Sequence, residues 1–282
     1  MGVIYFEGRF LGEEEAVLPV SDRGFVCGDG AYATLQVRDG VPLFLETHVS
    51  QLREQCGQMG LSFEEIDCVD ELVERNGAHE GIWRLKIFVT GGDGAEQRLP
   101  ERRGRVLAAI KPFVPAGMKP LRMGIFSIPF WSCHAGYKSL AHLNRYYVME
   151  EAYRSGWDDC VTVTEGGLLL EAAFGNLIWV HDLCVYTPDP SLPLYFGVTV
   201  RNVIQMAADF GFRVEYVKMG VDELPKDAVA FRTNTMHGVR PIEALGTHKF
   251  KLNDTLTTLF VNGYEELIKS YIMKSQEKKL IP

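Results

Sequence analysis

Two side chains are candidates for catalysis, and the first is a lysine near the middle of the sequence. Lys138 lies in AGYKSLAHLNR (135–145), after an aromatic run and among apolar residues. A lysine desolvated in an aromatic pocket has a lowered pKa and becomes an amine nucleophile that can form a Schiff base. Most lysines near the start of a helix are solvated, so Lys138 by itself is more simply explained as a surface cation.

The second candidate is a carboxylate about thirty residues later. Glu171 follows three leucines and precedes AAFGN, and a carboxylate in such surroundings is either buried with a partner or faces a site. Pyridoxal phosphate (PLP) requires both a lysine and an acid that keeps its pyridine nitrogen protonated. Its phosphate requires donors, and GVTVRN at a predicted helix start and RTNT after a predicted strand offer backbone amides. Together these features suggest a PLP site.

Other motifs point less clearly to chemistry. GDGAYA (28–33) matches G-x-G-x-x-A, but the alternating residues that follow predict a strand, so a tight turn is the better interpretation than a dinucleotide site. The sequence has no P-loop, HExxH, GxSxG or EF-hand pattern. Its six cysteines are far apart and show no metal-ligand spacing, which is typical of reduced thiols. We therefore predict no metal site.

Composition limits the class of protein. The 282 residues are 46% hydrophobic and 23% charged, as expected for a globular protein with enough chain for two cores. The formal net charge of −8 argues against nucleic acid as a partner. No secretory signal is visible, and no apolar run approaches the roughly 18 residues that span a bilayer. We predict a cytoplasmic protein without membrane or nucleic-acid partners.

The elements that must position these residues follow from the pattern. Turns at Gly8 and at Asp39-Gly40 predict two hairpins, and a helix with His48, Leu52, Cys56 and Met59 on one face ends at Gly60. KPFVPAGMKP (111–120) is the predicted linker. Beyond it we predict a helix over 139–156, strand pairs around Gly166-Gly167, a helix from near Thr199 to Gly211, a strand in AVAFRTN, a helix over 252–272 and a disordered tail from about Lys274.

Over about residues 3–270 the sequence resembles the class IV aminotransferase family, the fold-type IV PLP enzymes. This family includes branched-chain and D-amino-acid aminotransferases and aminodeoxychorismate lyase. The resemblance implies an α+β, two-domain fold like that of D-amino-acid aminotransferase, with an N-terminal domain (1–113), a linker (114–122) and a C-terminal domain carrying the PLP lysine (123–282). SDRGFVCGDGAYATL is similar to the N-terminal signature of the family, with these residues in place: Asp22, Arg23, Gly24, Gly28, Asp29 and Gly30.

The family's cofactor residues map onto this sequence one by one. YKSL resembles the segment with the Schiff-base lysine, which implies that Lys138 carries PLP and is catalytic. EAAFGN resembles E-x-x-x-x-N and implies that Glu171 contacts the pyridine nitrogen, with Asn176 as its companion. FGVTV and TNT are similar to the two phosphate turns. The remaining implied cofactor residues are Tyr195, Val198, Thr199, Asn234 and Thr235.

The sequence departs from the family where an arginine usually binds the phosphate. HVSQL has Gln51 in the place of the arginine of H-x-x-R-L, and a glutamine offers one neutral donor instead of a charged bidentate one. Arg53 should point about 200° away around the helix. The family's phosphate turn that FGVTV resembles usually continues with an arginine, where this chain has Val200, and Arg201 comes one position later. We expect that Gln51 faces PLP and that the protein binds the PLP phosphate more weakly than its relatives do. The alternative is that an arginine from elsewhere in the chain binds the phosphate.

The resemblance leaves the reaction open. Family usage favours a transaminase that moves an amino group from an amino acid to a 2-keto acid, and implies a homodimer. Ala33 and NTMHGVRPI resemble the lyases instead, so aminodeoxychorismate lyase, which eliminates pyruvate, is the alternative. A catalytically weak PLP-family binding protein is a second alternative. Three residues are candidates for contacting the substrate: Tyr32, Arg98 and His237.

Overall fold

The computed structural model describes residues 2–93, 102–126 and 136–280. The chain divides into two compact units. Unit 1 consists of Met1–Pro115, Tyr137–His142 and Ser270–Pro282, and unit 2 of Ala116–Gly136 and Leu143–Lys269. The short segment that contains Lys138 thus belongs to unit 1, although the residues on both sides of it belong to unit 2. The predicted boundaries of independent domains stay a prediction.

Unit 1 is built from strands and helices of the first 115 residues. They are β1 (Val3–Phe6), β2 (Arg9–Gly12), α1 (Arg23–Cys27), β3 (Gly30–Arg38), β4 (Val41–Pro42), α2 (Leu45–Gln58), β5 (Leu61–Ser62), α3 (Val69–Arg75), β6 (Ile82–Thr90), β7 (Arg102–Arg103) and β8 (Arg105–Pro112).

Six of these strands form one sheet in the spatial order β2-β1-β8-β6-β3-β4. The predicted hairpins are confirmed as the antiparallel pairs β1–β2 and β3–β4. Helices α2 and α3 pack with one face of the sheet around a core that includes Leu35, Leu52, Leu72, Leu85 and Ile87. Strand residues alternate between faces, so the intervening residues of β3 and β6 lie on the opposite face.

Unit 2 contains the remaining elements and the first part of the last helix. They are β9 (Leu121–Phe126), α4 (Leu143–Arg154), β10 (Asp159–Val163), β11 (Leu169–Ala172), β12 (Asn176–His181), β13 (Cys184–Pro188), α5 (Val198–Asp209), β14 (Arg213–Val217), a 3-10 turn (Val221–Glu223), β15 (Val229–Asn234), β16 (Gly238–Leu245), β17 (His248–Lys249) and α6 (Asp254–Leu280).

The sheet of unit 2 has the order β11-β10-β9-β16-β15-β12-β13-β14, and β17 pairs with β16. The pairs β9–β10, β9–β16 and β13–β14 are parallel and the others antiparallel. Trp179, Leu177, Met123 and Ile242 fill one side of the sheet, while α5 packs on β12, β14 and β15. The mixture of helices and sheets in two units confirms the predicted fold class.

Two expectations about elements are wrong, and one short helix was not predicted. The helix expected from 139 begins only at Leu143, because Lys138 and Leu140 form backbone hydrogen bonds with β3 and its start. The five-residue helix α1, which ends just before Gly28, was not predicted. The tail expected to be disordered from Lys274 is helical to Leu280, because its Ser, Gln, Glu, Lys and Leu residues suit a helix that is already nucleated.

In the described part of the chain, no helix is long and apolar enough to cross a membrane.

Candidate functional site

Lys138 is held against strand β3 by a close approach that glycines permit. The segment 137–142 runs alongside the start of β3, with a bridge between Ala31 and Ser139. Gly30 has φ of +142°, and a Cβ on it would lie 2.2 Å from the Val89 carbonyl oxygen. A Cβ on Gly28 would lie 2.9 Å from Ala141. The glycines of the signature therefore give the lysine segment its place beside the strand.

Both backbone groups of Lys138 are fixed by hydrogen bonds within unit 1. Its N–H donates to Oε1 of Gln55 over 3.1 Å, and its carbonyl oxygen accepts from the Tyr32 N–H over 2.9 Å. The Nζ of Lys138 lies 5.1 Å from the centroid of the Tyr32 ring, within the range of a cation–π contact. The half-buried lysine side chain is thus oriented over an aromatic ring.

Helix α2, which holds the Lys138 N–H through Gln55, carries two further polar residues, His48 and Gln51. His48 is buried, and desolvation together with the nearby charge of Lys138 lowers its pKa from 6.5 to about 3, so the imidazole is neutral near pH 7. Gln51 is partly buried one turn later on the same helix. Arg53 lies elsewhere, because its guanidinium packs on the Phe63 ring at 4.6 Å. The expectation that Arg53 points away from the Gln51 position is confirmed.

The charged residues of the signature stabilise the loop that leads into β3. Asp22 is fully buried, caps α1 by accepting from the Gly24 N–H over 2.7 Å, and accepts from Thr90 over 2.8 Å. Asp29 accepts from Arg23 over 2.7 Å and also pairs with Arg102. In spite of its burial, these hydrogen bonds hold the pKa of Asp29 below its ordinary value. These residues position the site rather than face it.

In unit 2, Glu171 is held in place from two sides. Its Oε1 accepts from Nη2 of Arg145 over 2.8 Å and from the Tyr195 N–H over 3.1 Å. Arg145 also donates from Nη1 to the Ala173 carbonyl over 2.9 Å. Glu171 is buried and Arg145 is mostly buried. Of the two alternatives that the sequence left open for Glu171, the structure shows a buried carboxylate with a partner; the partner is Arg145, which the sequence did not predict.

Asn176 orders the turn that leads into helix α5. Its Nδ2 donates to the Tyr195 carbonyl over 2.7 Å, and its Oδ1 accepts from the Gly197 N–H over 3.2 Å. The buried residues Val198 and Thr199 begin α5 directly after this turn, and no described side chain caps its N-terminus. Backbone N–H groups at such a helix start are available as donors to an anion.

A second turn meets the start of α5. The Oγ1 atoms of Thr199 and Thr235 are 3.2 Å apart. Asn234 fixes the turn after β15, because its Oδ1 accepts from the N–H groups of Met236 and His237 over 2.7 and 3.2 Å and its Nδ2 donates to the Phe174 carbonyl. Arg201 faces elsewhere: its Nε donates to the Phe196 carbonyl over 3.3 Å and its guanidinium lies 5.2 Å from the Phe196 ring.

His237, a substrate candidate, is half-buried after this turn. Burial, together with the smaller effect of the positive charges of Arg232 and Arg240, lowers its pKa from 6.5 to about 4. Near pH 7 its imidazole is therefore neutral and offers a hydrogen bond rather than a charge. Arg98, the third substrate candidate, lies outside the described residues.

The predicted site residues thus form two sets. In unit 1, Lys138 and Tyr32 are in contact, and Gln51 lies on the helix that holds Lys138. In unit 2, hydrogen bonds link Glu171 to Tyr195, Tyr195 and Gly197 to Asn176, and Thr199 to Thr235. The second set combines a buried carboxylate with a helix start that has no described side-chain cap. The sequence predicted three parts of a PLP site: an amine, a carboxylate and a set of donors for the phosphate.

Sequence reasoning missed Gln55 and Arg145. Gln55 follows Gln51 by one helical turn on the face of α2 that carries Leu52 and Cys56, so a polar residue in that apolar stripe was a usable signal. Arg145 gave no such signal, because a basic residue early in a helix is usually solvated.

Comparison with known families shows to which family the chain belongs. The model of the family described as amino-transferase class IV matches residues 30–245. The chain belongs to the class IV aminotransferase family. Members of this family are PLP-dependent enzymes, so the expected family, enzyme class and cofactor class are confirmed at that level.

Relatives in this family carry out different reactions. The chain is 24% identical over 249 residues to an aminodeoxychorismate lyase of Bacillus subtilis (strain 168), covering 85% of each chain. It is 24% identical over 258 residues to a D-alanine aminotransferase of Bacillus licheniformis, covering 86% of this chain and 88% of that relative.

A solved structure of a branched-chain aminotransferase has the same fold as this chain. The enzyme from the thermophilic archaeon Thermoproteus uzoniensis, crystallised with norvaline, superposes with a TM-score of 0.88 at 20% identity. The match covers 96% of this chain and 95% of that one. The fold-type IV architecture implied by the sequence is therefore confirmed.

Proposed function

We propose that this chain is a PLP-dependent transaminase that moves an amino group from an amino acid to a 2-keto acid, with Lys138 as the lysine that holds the cofactor. Family membership supports the cofactor and the general chemistry. The observation that carries the proposal is the position of the Lys138 amine over the Tyr32 ring at 5.1 Å, with both peptide groups of the lysine fixed.

The residues present fit PLP at each of its functional groups. Glu171, held by Arg145 and by the Tyr195 amide, is a carboxylate suited to a pyridine nitrogen. The uncapped, buried start of α5 and the hydroxyls of Thr199 and Thr235 suit a phosphate. When bound, PLP supplies an electron sink for the carbon that carries the substrate amine.

The side chains of this protein have distinct roles in the proposed reaction. With PLP bound, Lys138 would hold the cofactor, and its Nζ would serve as the base that takes a proton from the amine-bearing carbon and as the acid that returns one. Glu171 would hold the proton of the ring nitrogen. Tyr32 limits the positions that the Lys138 amine can take, and the neutral His48 adds no competing positive charge beside it.

The test is chemical labelling of the lysine. Protein incubated with PLP and reduced with borohydride should carry the pyridoxyl group on Lys138, read by peptide mass spectrometry. Lys138→Ala should lose both the label and turnover of amino acids with a keto acid. Lys119→Ala, which changes an exposed lysine, should retain both. A protein that takes up no PLP, or one labelled elsewhere, would remove the proposal.

Aminodeoxychorismate lyase is the second candidate. It is favoured by the relative from Bacillus subtilis and by Ala33 and NTMHGVRPI in the sequence. The same lysine and carboxylate serve both reactions, so the discriminating assay is direct. If the protein is a transaminase, it should transfer the amino group of D-alanine, leucine or glutamate to a keto acid. If it is the lyase, it should release pyruvate from aminodeoxychorismate.

We also propose that the protein is a homodimer, as the family resemblance implies. Light scattering during size-exclusion chromatography should give twice the 31.7 kDa mass of the chain. A monomeric mass at micromolar concentration would contradict this.

A further inference from the structure

One buried ion pair of unit 2 is not among the predicted cofactor residues. Asp159, at the start of β10, accepts with Oδ2 from Nη1 of Arg232 over 2.8 Å, and the two side chains are 0% and 9% exposed. Burial raises the pKa of Asp159, and the charge of Arg232 opposes this rise. Removing two charges from water costs much of what their attraction returns, so stability alone does not explain the pair.

The second oxygen of Asp159 holds the chain just after Glu171. This Oδ1 accepts from the Cys160 N–H over 2.8 Å and from the Ala173 N–H over 3.3 Å. The Ala173 N–H also donates to the Cys160 carbonyl over 3.1 Å, so it is shared between two acceptors at the start of β10. Asp159 therefore helps to fix the backbone of the turn that follows Glu171.

Arg232 lies against the far end of the same turn. Ala172 and Gly175 bound this turn, and the Ala172 N–H donates to the Gly175 carbonyl over 2.8 Å. A Cβ on Gly175 would lie 3.1 Å from Cγ of Arg232 and 2.6 Å from the Thr233 carbonyl oxygen, so only a glycine permits this close approach to β15. The two members of the ion pair thus meet the turn at Ala173 and at Gly175.

This turn joins the two cofactor candidates Glu171 and Asn176. Glu171 precedes it directly and Asn176 follows it directly. Arg145, which pairs with Glu171, also donates to the Ala173 carbonyl over 2.9 Å. Ala173 is therefore held by Asp159 at its N–H and by Arg145 at its carbonyl. A shift of Ala173 would displace both the Glu171 carboxylate and the arginine that orients it.

We propose that Asp159 and Arg232 are positioning residues that act through this turn and hold the Glu171 carboxylate in the orientation needed to meet the pyridine nitrogen of PLP. The inference rests on the proposed function in taking Glu171 as the acid for that nitrogen. The pair acts through the backbone, because both oxygens of Asp159 already accept hydrogen bonds within the protein. Removing the pair should weaken the part of PLP binding that depends on the ring nitrogen.

Two forms of the cofactor test this. One is PLP, and the other is its deaza analogue, in which a carbon replaces the ring nitrogen. Calorimetric titration of the apo-protein gives both dissociation constants. The wild-type protein should bind PLP more tightly, because only PLP offers Glu171 an N–H. Asp159→Asn should raise the dissociation constant for PLP by about tenfold, because a hydrogen bond between charged groups is weakened, and should leave that of the analogue unchanged.

A second variant and a control complete the test. Asp159→Asn leaves the charge of Arg232 buried without its partner, which can destabilise the fold. Asp159→Asn combined with Arg232→Met removes both charges, and it should show the same selective loss of PLP affinity. Asp182→Asn, which changes an exposed aspartate of the same unit, should bind both cofactors like the wild-type protein. An equal change for both cofactors in the double variant, or no change for either, would overturn the inference.

Glu171→Gln reports on the proposed function separately. This substitution should remove the preference for PLP over the deaza analogue. If Glu171→Gln removes the preference but both Asp159 variants keep it, only the role of the ion pair is refuted. If the wild-type protein shows no preference, or binds neither cofactor, the role of Glu171 in the proposed function is refuted as well.

Discussion

Arg145 and Glu171 form an ion pair in which Nη2 donates to Oε1 over 2.8 Å, while the same guanidinium donates to the Ala173 carbonyl over 2.9 Å. The arginine therefore fixes both the carboxylate and the backbone two residues beyond it. Its side chain is 20% exposed and that of Glu171 is 9% exposed, so solvent screens the pair only in part. Removing one partner of such a pair leaves a charge with poor solvation.

We predict that Arg145→Met lowers both stability and PLP affinity. The free energy of unfolding should fall by roughly 1–3 kcal/mol, measured by urea denaturation of the protein without added PLP. The dissociation constant for PLP should rise, because Glu171 is no longer oriented. Arg154→Met is the matched control, since it changes an exposed arginine of the same helix that pairs with Glu150, and exposed pairs contribute little. Equal effects of the two substitutions would contradict a role for Arg145.

Gln55 is predicted to set the position of Lys138. The hydrogen bond from the Lys138 N–H to Gln55 Oε1 is lost in Gln55→Ala, and the lysine segment should then sample other conformations. We expect slower labelling of Lys138 by PLP and borohydride at unchanged secondary structure. Gln55→Glu keeps an acceptor and should label faster than Gln55→Ala. Gln58→Ala, on the exposed side of the same helix, should label like the wild-type protein.

Sequence alone predicted the elements whose causes are local. The hairpins at Gly8 and Asp39-Gly40 follow from turn residues that adopt positive φ, and the amphipathic pattern of α2 follows from its spacing. The family resemblance predicted a Glu171 that the structure buries and an Asn176 that orders the turn before α5. In each case the residue type is dictated by its immediate neighbours in the chain or by a motif.

Contacts between distant residues escaped prediction. Lys138 and Gln55 are 83 residues apart, and Arg145 and Glu171 are 26 apart. The apolar pattern after Lys138 favoured a helix, but hydrogen bonds of Lys138 and Leu140 with the start of β3 keep the segment extended. Pairing of that kind depends on where the chain returns in space, which a pattern along the sequence does not record.

Gln51 allows a prediction about the strength of PLP binding. Arg201 and Arg53 contact Phe196 and Phe63, so we expect that neither replaces the arginine that the family usually has at the Gln51 position. If Gln51 faces the phosphate, Gln51→Arg should tighten PLP binding by about tenfold, because a charge-assisted bidentate contact replaces a neutral one. Titration of apo-protein followed by absorbance measures this.

The control for Gln51 is Arg53→Gln. Arg53 packs on Phe63 and donates to its carbonyl over 3.3 Å, so this substitution removes a charge from the same helix without touching the predicted phosphate position. It should leave the affinity for PLP unchanged. If wild-type affinity already equals that of relatives with the arginine, and Gln51→Arg has no effect, the idea of a weakened phosphate grip is wrong.

His48 makes stability depend on pH in a defined direction. Its folded pKa is about 3, against 6.5 for the ordinary value, so the unfolded chain binds a proton that the folded chain excludes. The resulting stabilisation is complete above about pH 6.5 and decreases as the pH falls toward about 3, by as much as a few kcal/mol. His48→Gln should reduce the slope of unfolding free energy against pH in this window, measured by urea denaturation at several pH values. His79→Gln, which changes an exposed histidine, should leave that slope unchanged, and an unchanged slope in His48→Gln would show that the imidazole is not held neutral.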